Sequence, residues 1–302
     1  MYDKQEKSGQ KKIHQVERGN TLTPSFPTQL KPLIKKFSGT FGVYAERLDT
    51  GSVLAYNADE TFLTASVVKL PVLFELFRQV KNKTVSLDQR ITLRDADKVI
   101  GSGVLKELRA GLRLTVYDLV FLMMSISDNT AANMVTDLVG RANVNRTLKR
   151  LGLKTSRVTG NILVDQTHNT DTPTGKGERA PTTPREMAEL LKVIEARKYL
   201  GAEYSQQIIE ILKRADTTST IARGLPYEEM RPEQGEPRII VAHKTGSLRG
   251  TRNNVGLVYT PKFTYVIAMM SRDCKDLRWT QDNEASVLLG EISRIVYEKF
   301  TQ

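Results

Sequence analysis

A serine and a lysine stand three residues apart, at Ser66 and Lys69, in the otherwise apolar stretch TASVVKLPVLFELF (64–77). A serine hydroxyl is a weak nucleophile at neutral pH and needs an adjacent base. A lysine amine can be that base when burial or neighbouring positive charge lowers its pKa. Residues three apart share one face of a helix, so the two side chains can meet. The alternative is that Ser66 caps the helix and Lys69 is solvated.

Two further polar clusters interrupt apolar patterns. The S-D-N sequence at 127–129 separates two helical patterns, although helix capping alone would explain it, since all three residue types favour helix starts. The K-T-G-S sequence at 244–247 ends a run that predicts a strand central to a sheet. A buried strand seldom carries Lys and Thr together unless they face a cleft, and Gly246 would let a ligand backbone approach closely.

The flanking patterns predict the elements that position these clusters. Residues 26–37 form a short amphipathic helix, and two β-rich runs around the turn at 49–52 form a hairpin. In 66–80 the apolar residues recur at three- and four-residue steps, which indicates a helix. A capping pattern at Thr115-x-x-Asp118 starts a second helix. Helical patterns therefore follow the hairpin.

The second half of the chain returns to strands. Thr183, followed by a proline, is a strong helix start, and the preceding segment 161–181 is long and unpatterned. Three β-runs between 237 and 271 predict an antiparallel meander, and 282–300 predicts a closing helix. We predict an α/β fold in which an antiparallel sheet is flanked by the terminal helices and carries an inserted all-helical subdomain.

These elements predict one domain made of two subdomains, of which the sheet subdomain is discontinuous in sequence. Residues 1–26 are expected to be a disordered tail, because their first 20 residues are polar. Residues 27–61 and 215–302 would form the sheet subdomain, and 62–214 the helical one. The active site is expected between them.

Composition excludes several classes of function. The 302 residues are 39% hydrophobic, and their net charge of +11 is spread among acidic neighbours without a nucleic-acid-binding motif. Cys274 is the single cysteine, so an intramolecular disulfide is excluded. The three histidines (His14, His168 and His243) are far apart in sequence. We expect no nucleic-acid partner, no metal and no cofactor.

Together and in this order, S-x-x-K, S-D-N and K-T-G are the motif set of the penicillin-recognising serine enzymes. Over roughly residues 38–300 the chain resembles class A β-lactamases, and the segments SDNTAAN, TTPREMA and KTGSLRGTR are similar to that family's versions. The resemblance implies a β-lactamase/transpeptidase-like fold. It also implies that an acyl-enzyme forms with β-lactams or cell-wall peptides.

The resemblance implies the catalytic roles. Ser66 would attack the lactam or peptide carbonyl, and Lys69 would take its proton. Ser127 would pass a proton to the leaving nitrogen, assisted by Lys244. The backbone N–H groups of Ser66 and Ser247 would form the oxyanion hole.

The same resemblance implies the substrate-binding residues. Asn129 would hold the substrate amide, while Lys244 and Thr245, with Ser247 beside them, would receive the substrate carboxylate. Arg252 could add a bidentate contact to that carboxylate. This chain is one residue shorter than the family between K-T-G and the arginine, so a surface role for Arg252 is the alternative.

The chain departs from class A β-lactamases in 153–184. That family carries an E-x-x-L-N segment whose glutamate activates the deacylating water, and this sequence contains none. The glutamate position falls near Ile162 or Leu163. Asp165 is the nearest carboxylate and Glu178 is distant, so either would need a different loop path. Without a positioned base, a penicilloyl-enzyme should hydrolyse slowly.

Three functions remain open. The first choice is a D-alanyl-D-alanine peptidase, a penicillin-binding protein with slow β-lactam turnover. A class A β-lactamase with another water-activating group is the alternative, and a β-lactam sensor is the third. We expect a monomer. Because the substrates lie outside the cytoplasmic membrane, we also expect a periplasmic or other extracytoplasmic protein, although residues 1–20 contain no apolar signal segment.

Overall fold

The computed structural model describes residues 26–160, 180–215 and 220–302. Its helices are α1 (Phe26–Lys36), α2 (Lys69–Lys81), α3 (Val116–Ser125), α4 (Asn129–Val139), α5 (Arg141–Arg150), α6 (Pro184–Glu195), α7 (Ala202–Lys213), α8 (Thr220–Arg223), α9 (Tyr227–Met230) and α10 (Glu284–Thr301). Its strands are β1 (Thr40–Arg47), β2 (Val53–Tyr56), β3 (Phe62–Leu63), β4 (Arg90–Thr92), β5 (Arg113–Thr115), β6 (Pro181–Thr182), β7 (Ile240–Leu248), β8 (Thr251–Tyr259) and β9 (Thr264–Arg272).

The predicted hairpin and meander join into one antiparallel sheet of five strands. Its order is β2-β1-β9-β8-β7, so β1 of the N-terminal hairpin pairs with β9 at the end of the meander. Residues of one face, such as Tyr265 and Ile267, share an apolar core with α1 and α10. Residues of the other face, such as Leu257 and Met270, share a core with the helices from α2 to α7. The predicted α/β fold with an inserted helical region is confirmed.

The strand that carries K-T-G differs from the prediction. It lies at the edge of the sheet, because β7 pairs with β8 along one side and with no other strand among the described residues. Nor does K-T-G end the strand, which continues to Leu248. An apolar run bounded by polar residues fits an edge strand as well as a central one, since one edge can face a cleft.

Local capping explains where the central helices begin. Thr115 and Asp118 form the predicted capping box at α3, with N···O distances of 3.0 and 2.9 Å. Thr183 accepts a hydrogen bond from the third residue of α6. The predicted helix at 66–80 begins later than expected, at Lys69, and a 3-10 turn precedes it.

The predicted subdomain boundaries stay a prediction. The expected tail falls almost wholly outside the described residues, as does most of the loop at 161–181. In the described ranges, no helix combines the length and apolar character that crossing a membrane requires.

Candidate active site

Ser66 lies in the 3-10 turn Ala65–Val68, directly before α2. Side chains three residues apart eclipse each other in a 3-10 helix, which brings Lys69 Nζ to 3.3 Å from Ser66 Oγ. Ala65 has a φ of +47°, a left-handed conformation that a non-glycine residue adopts at a cost of about 1–3 kcal/mol. The turn that presents Ser66 is therefore held in place by its surroundings.

Lys69 is fully buried and lies among four oxygen atoms. Its Nζ donates to Ser127 O at 2.6 Å and to Asn129 Oδ1 at 2.8 Å, and the hydroxyls of Ser127 and Ser66 lie 3.0 and 3.3 Å away. The two carbonyl oxygens can only accept, so they take two N–H groups of the amine. In a neutral amine the lone pair then faces the two hydroxyls. This geometry suits proton transfer between Lys69 and either serine.

Two buried lysines, Lys69 and Lys244, both have a lowered pKa. Burial holds the pKa of Lys69 well below its ordinary value; the positive charge of Lys244 lowers it further, against an opposing effect of Asp128. Burial also lowers the pKa of Lys244, to about 7. A lysine base must be neutral to accept a proton, so this environment favours the chemistry expected of Lys69.

The S-D-N cluster contains both a cap and a reactive hydroxyl. Asp128 is the N-cap of α4 and accepts from Ala131 N at 2.9 Å. Its other oxygen accepts from the backbone N–H groups of Val104 and Leu105 at 2.7 and 2.9 Å. Ser127, the residue before this cap, has a φ of +60°, which is a strained conformation for a serine. Its hydroxyl lies 3.0 Å from Lys69 Nζ. The capping interpretation therefore holds for Asp128 alone.

Sequence reasoning missed the segment 100–105, which supports this cluster. Asn129 donates from its side chain to Ile100 O at 3.2 Å and from its backbone to Ser102 O at 2.9 Å. Gly103 has a φ of +107°, and a Cβ there would collide with the Asp128 carboxylate. The G-S-G sequence at 101–103 was the available signal, because glycine permits both the positive φ and the close approach.

The K-T-G strand lies against the turn that carries Ser66. A Cβ on Gly246 would lie 2.8 Å from Thr64 O and 3.0 Å from Ser66 N. The protein's own backbone thus approaches this glycine closely, and the approach of a ligand backbone stays a prediction. Lys244 is buried and donates to Thr245 O at 2.9 Å, while Ser247 is exposed. The strand therefore brings Gly246, the residue before Ser247, against the backbone of Ser66, and the oxyanion-hole role of the Ser66 and Ser247 N–H groups stays a prediction.

Arg252 is paired with Ser247 across β7 and β8, but its guanidinium already has several partners. It donates to the carbonyl oxygens of Leu248 and Thr251 at 2.8 Å and of Arg278 at 2.6 Å. The Trp279 ring centroid lies 4.7 Å from its Cζ. The carboxylate-binding role of Arg252 stays a prediction, and it would require one of these contacts to be shared or exchanged.

The structure brings the predicted residues into three neighbouring groups: the turn with Ser66, the helix junction with Ser127 and Asn129, and the edge strand with the residues from Lys244 to Ser247. Their individual roles stay predictions. The four positions considered for water activation (Ile162, Leu163, Asp165 and Glu178) lie outside the described residues. A serine hydroxyl, a buried amine and a second hydroxyl within one hydrogen-bond network are the groups that an acyl-transferring serine enzyme uses.

Comparison with known proteins agrees with this class. The chain belongs to the beta-lactamase enzyme family, whose family model matches residues 25–300. It is 27% identical over 272 residues to a beta-lactamase of Bacillus licheniformis, covering 87% of this chain and 80% of that protein. The protein is thus a class A β-lactamase/penicillin-binding-protein-like serine hydrolase.

Solved structures of two kinds resemble this fold. The beta-lactamase of Sphaerobacter thermophilus has a TM-score of 0.80 and 30% identity, covering 91% of this chain and 96% of that one. PBP-A has a TM-score of 0.78 and 28% identity, covering 92% and 97%. A leucine-to-glutamate mutant of PBP-A, solved as an acyl-enzyme complex with penicillin G, has a TM-score of 0.77. The fold therefore accommodates both a beta-lactamase and PBP-A.

Proposed function

We propose that this protein is a D-alanyl-D-alanine peptidase that acts as a monomer on cell-wall peptides and forms a slowly hydrolysed acyl-enzyme with β-lactams. The observation that carries this proposal is the lack of an E-x-x-L-N segment in the sequence. A positioned general base is typically worth about 10²–10⁴ in rate. Its loss slows hydrolysis of the acyl-enzyme and leaves acylation, which uses other residues, intact.

The geometry around Ser66 supports rapid acylation. The hydroxyl lies within reach of Lys69, whose two N–H groups are held by carbonyl oxygens. The similarity to PBP-A, and to its mutant that carries penicillin G as an acyl-enzyme, supports a covalent β-lactam adduct on this fold. Neither the site nor this similarity requires a metal or cofactor for the acylation step.

A β-lactamase is the second candidate, because the proteins from Bacillus licheniformis and Sphaerobacter thermophilus are both beta-lactamases. It would need another group to activate the deacylating water. For either function we propose an extracytoplasmic location, since both substrates occur there. Fractionation of the native cells with an antibody to the protein tests the location, and recovery in the cytoplasmic fraction would contradict it.

Intact mass spectrometry after mixing with benzylpenicillin separates the two functions. We expect the mass of one penicilloyl group within seconds and its loss over minutes or longer, together with cleavage of D-Ala-D-Ala peptides or thioesters. Leu163→Glu and Ile162→Glu should speed hydrolysis modestly, with Leu163→Gln as the uncharged control. Wild-type turnover of benzylpenicillin above about 10 per second, a median enzyme rate, would establish a β-lactamase instead.

A further inference from the structure

Asn253 joins three segments of the chain from the interior of the sheet. It lies on β8 and is 2% exposed. Its side-chain nitrogen donates to Leu63 O at 2.7 Å and to Thr64 O at 3.2 Å, and its oxygen accepts from Ser271 N at 3.2 Å. Reversing the amide would place its oxygen against two carbonyl oxygens, so the network requires this orientation. Asn253 thus ties the segment before Ser66 to the sheet.

That segment contains the strained residue of the turn. Thr64 is held on its other side by Ala180, whose carbonyl accepts from the Thr64 backbone and hydroxyl at 2.9 and 3.0 Å. The next residue, Ala65, has a φ of +47°. A left-handed alanine persists when the groups around it fix both neighbouring peptides. Asn253 supplies that restraint from the sheet side.

The cross-strand partner of Asn253 is Gly246. The absence of a side chain at Gly246 lets the turn rest on the strand pair, with Thr64 O and Ser66 N within 3.0 Å of the Cβ position. A small residue on β7 and a carboxamide on β8 therefore form one support. The glycine provides the space, and the carboxamide provides the hydrogen bonds.

We infer that Asn253 is a positioning residue for the acylation step. Its hydrogen bonds go to neither the Ser66 side chain nor the Lys69 amine; it acts through the carbonyls of residues 63 and 64, which set the conformation of Ala65. That conformation in turn fixes the 3.3 Å separation between Ser66 Oγ and Lys69 Nζ. This inference rests on acylation at Ser66 and is independent of whether the acyl-enzyme hydrolyses slowly or quickly.

The test compares Asn253→Ala and Asn253→Asp with the matched control Asn254→Ala. Asn254 is the next residue of β8, equally buried, and its oxygen lies 3.1 Å from His243 Nδ1. Because neighbouring residues of a strand point to opposite faces, the control removes a buried amide that does not hold the turn. Asn253→Asp keeps the shape of the side chain and the acceptor for Ser271 N. As a carboxylate it has no N–H group to donate to the carbonyl oxygens of residues 63 and 64.

Stopped-flow acylation by benzylpenicillin gives the rate constant and the dissociation constant of the initial complex separately. A misplaced nucleophile should lower the rate constant by at least about tenfold in both Asn253 variants, with the dissociation constant little changed. The control should acylate at nearly the wild-type rate, even if its melting temperature falls. Equal rates in folded Asn253→Asp and wild type would overturn the inference, as would losses that merely follow stability in all three variants.

A crystal structure of Asn253→Asp gives a readout that needs no turnover. We expect the φ of Ala65 to leave the left-handed region or the Ser66–Lys69 separation to lengthen. An unchanged turn would refute the positioning role. Absence of an adduct on the wild-type protein would instead refute the proposed function, so the two failures are distinguishable.

Discussion

Lys69 and Ser127 are joined twice: the lysine amine donates to the serine carbonyl oxygen at 2.6 Å and lies 3.0 Å from the serine hydroxyl. The first contact fixes the amine, and the second lets a proton pass between the two side chains. Because Ser66 Oγ lies 3.3 Å from the same nitrogen, one amine connects both hydroxyls.

Ser66→Ala should abolish the covalent adduct with a β-lactam, because it removes the hydroxyl predicted to be the nucleophile. The fold should be unaffected, since only one oxygen is removed. Peptide mapping of the wild-type adduct checks the assignment, with Ser86→Ala, at an exposed loop serine, as the control. An adduct mapped to Ser127 would overturn it.

Lys244→Ala should slow acylation by carboxylated β-lactams by about tenfold or more, through loss of a charge-assisted hydrogen bond in a desolvated cleft. Ester analogues lacking the carboxylate should lose much less. The measurement is the second-order acylation rate constant for matched acid and ester. Equal losses for both would count against carboxylate binding by Lys244.

The acylation rate of carboxylated β-lactams should have a bell-shaped pH dependence. It rises with pH as Lys69 loses its proton. It falls above about pH 7, because burial places the pKa of Lys244 there, and a neutral Lys244 no longer attracts the substrate carboxylate. In Lys244→Ala the descending limb should disappear. The ascending limb should move to higher pH, because the charge of Lys244 lowers the pKa of Lys69. A profile identical to wild type would contradict this coupling.

Glu75→Gln should destabilise the fold by about 3 kcal/mol, since it breaks a buried ion pair from one side. The buried carboxylate accepts from Arg78, Gln79 and Thr147 at 2.7–2.8 Å, which ties α2 to α5. The exposed Glu298→Gln, in an ordinary surface pair, should change the free energy of unfolding by about 0.5 kcal/mol or less. Urea unfolding measures both.

This stabilisation should depend on pH in a defined direction. Burial alone raises the pKa of Glu75, but the hydrogen bonds from its three partners outweigh it and hold the pKa below the usual range. The contribution is therefore complete above about pH 4.3, the ordinary glutamate value, and is lost as the pH falls through the folded-state pKa. A difference between wild type and Glu75→Gln that grows on acidification would contradict this assignment.

Local sequence signals correctly predicted two helix starts, because helix capping depends only on residues within one turn. The capping box at Thr115 and the N-cap at Thr183 are side-chain contacts within one turn, so residue type and spacing suffice. The position of β7 in the sheet was predicted wrongly, because an apolar run is compatible with an edge or a central strand. Which strand lies at an edge depends on pairing between segments far apart in the chain.

By itself, the sequence determined the motif set, the family and the residues expected to react, because these depend on residue types in a fixed order. Tertiary structure alone decided how those residues act together. Burial lowers the pKa of Lys69 and Lys244, the left-handed turn at Ala65 presents Ser66, and Asn253 supports that turn from a strand almost 190 residues later in the chain. Desolvation and backbone strain depend on what surrounds a group in space, and no local pattern of residues records that.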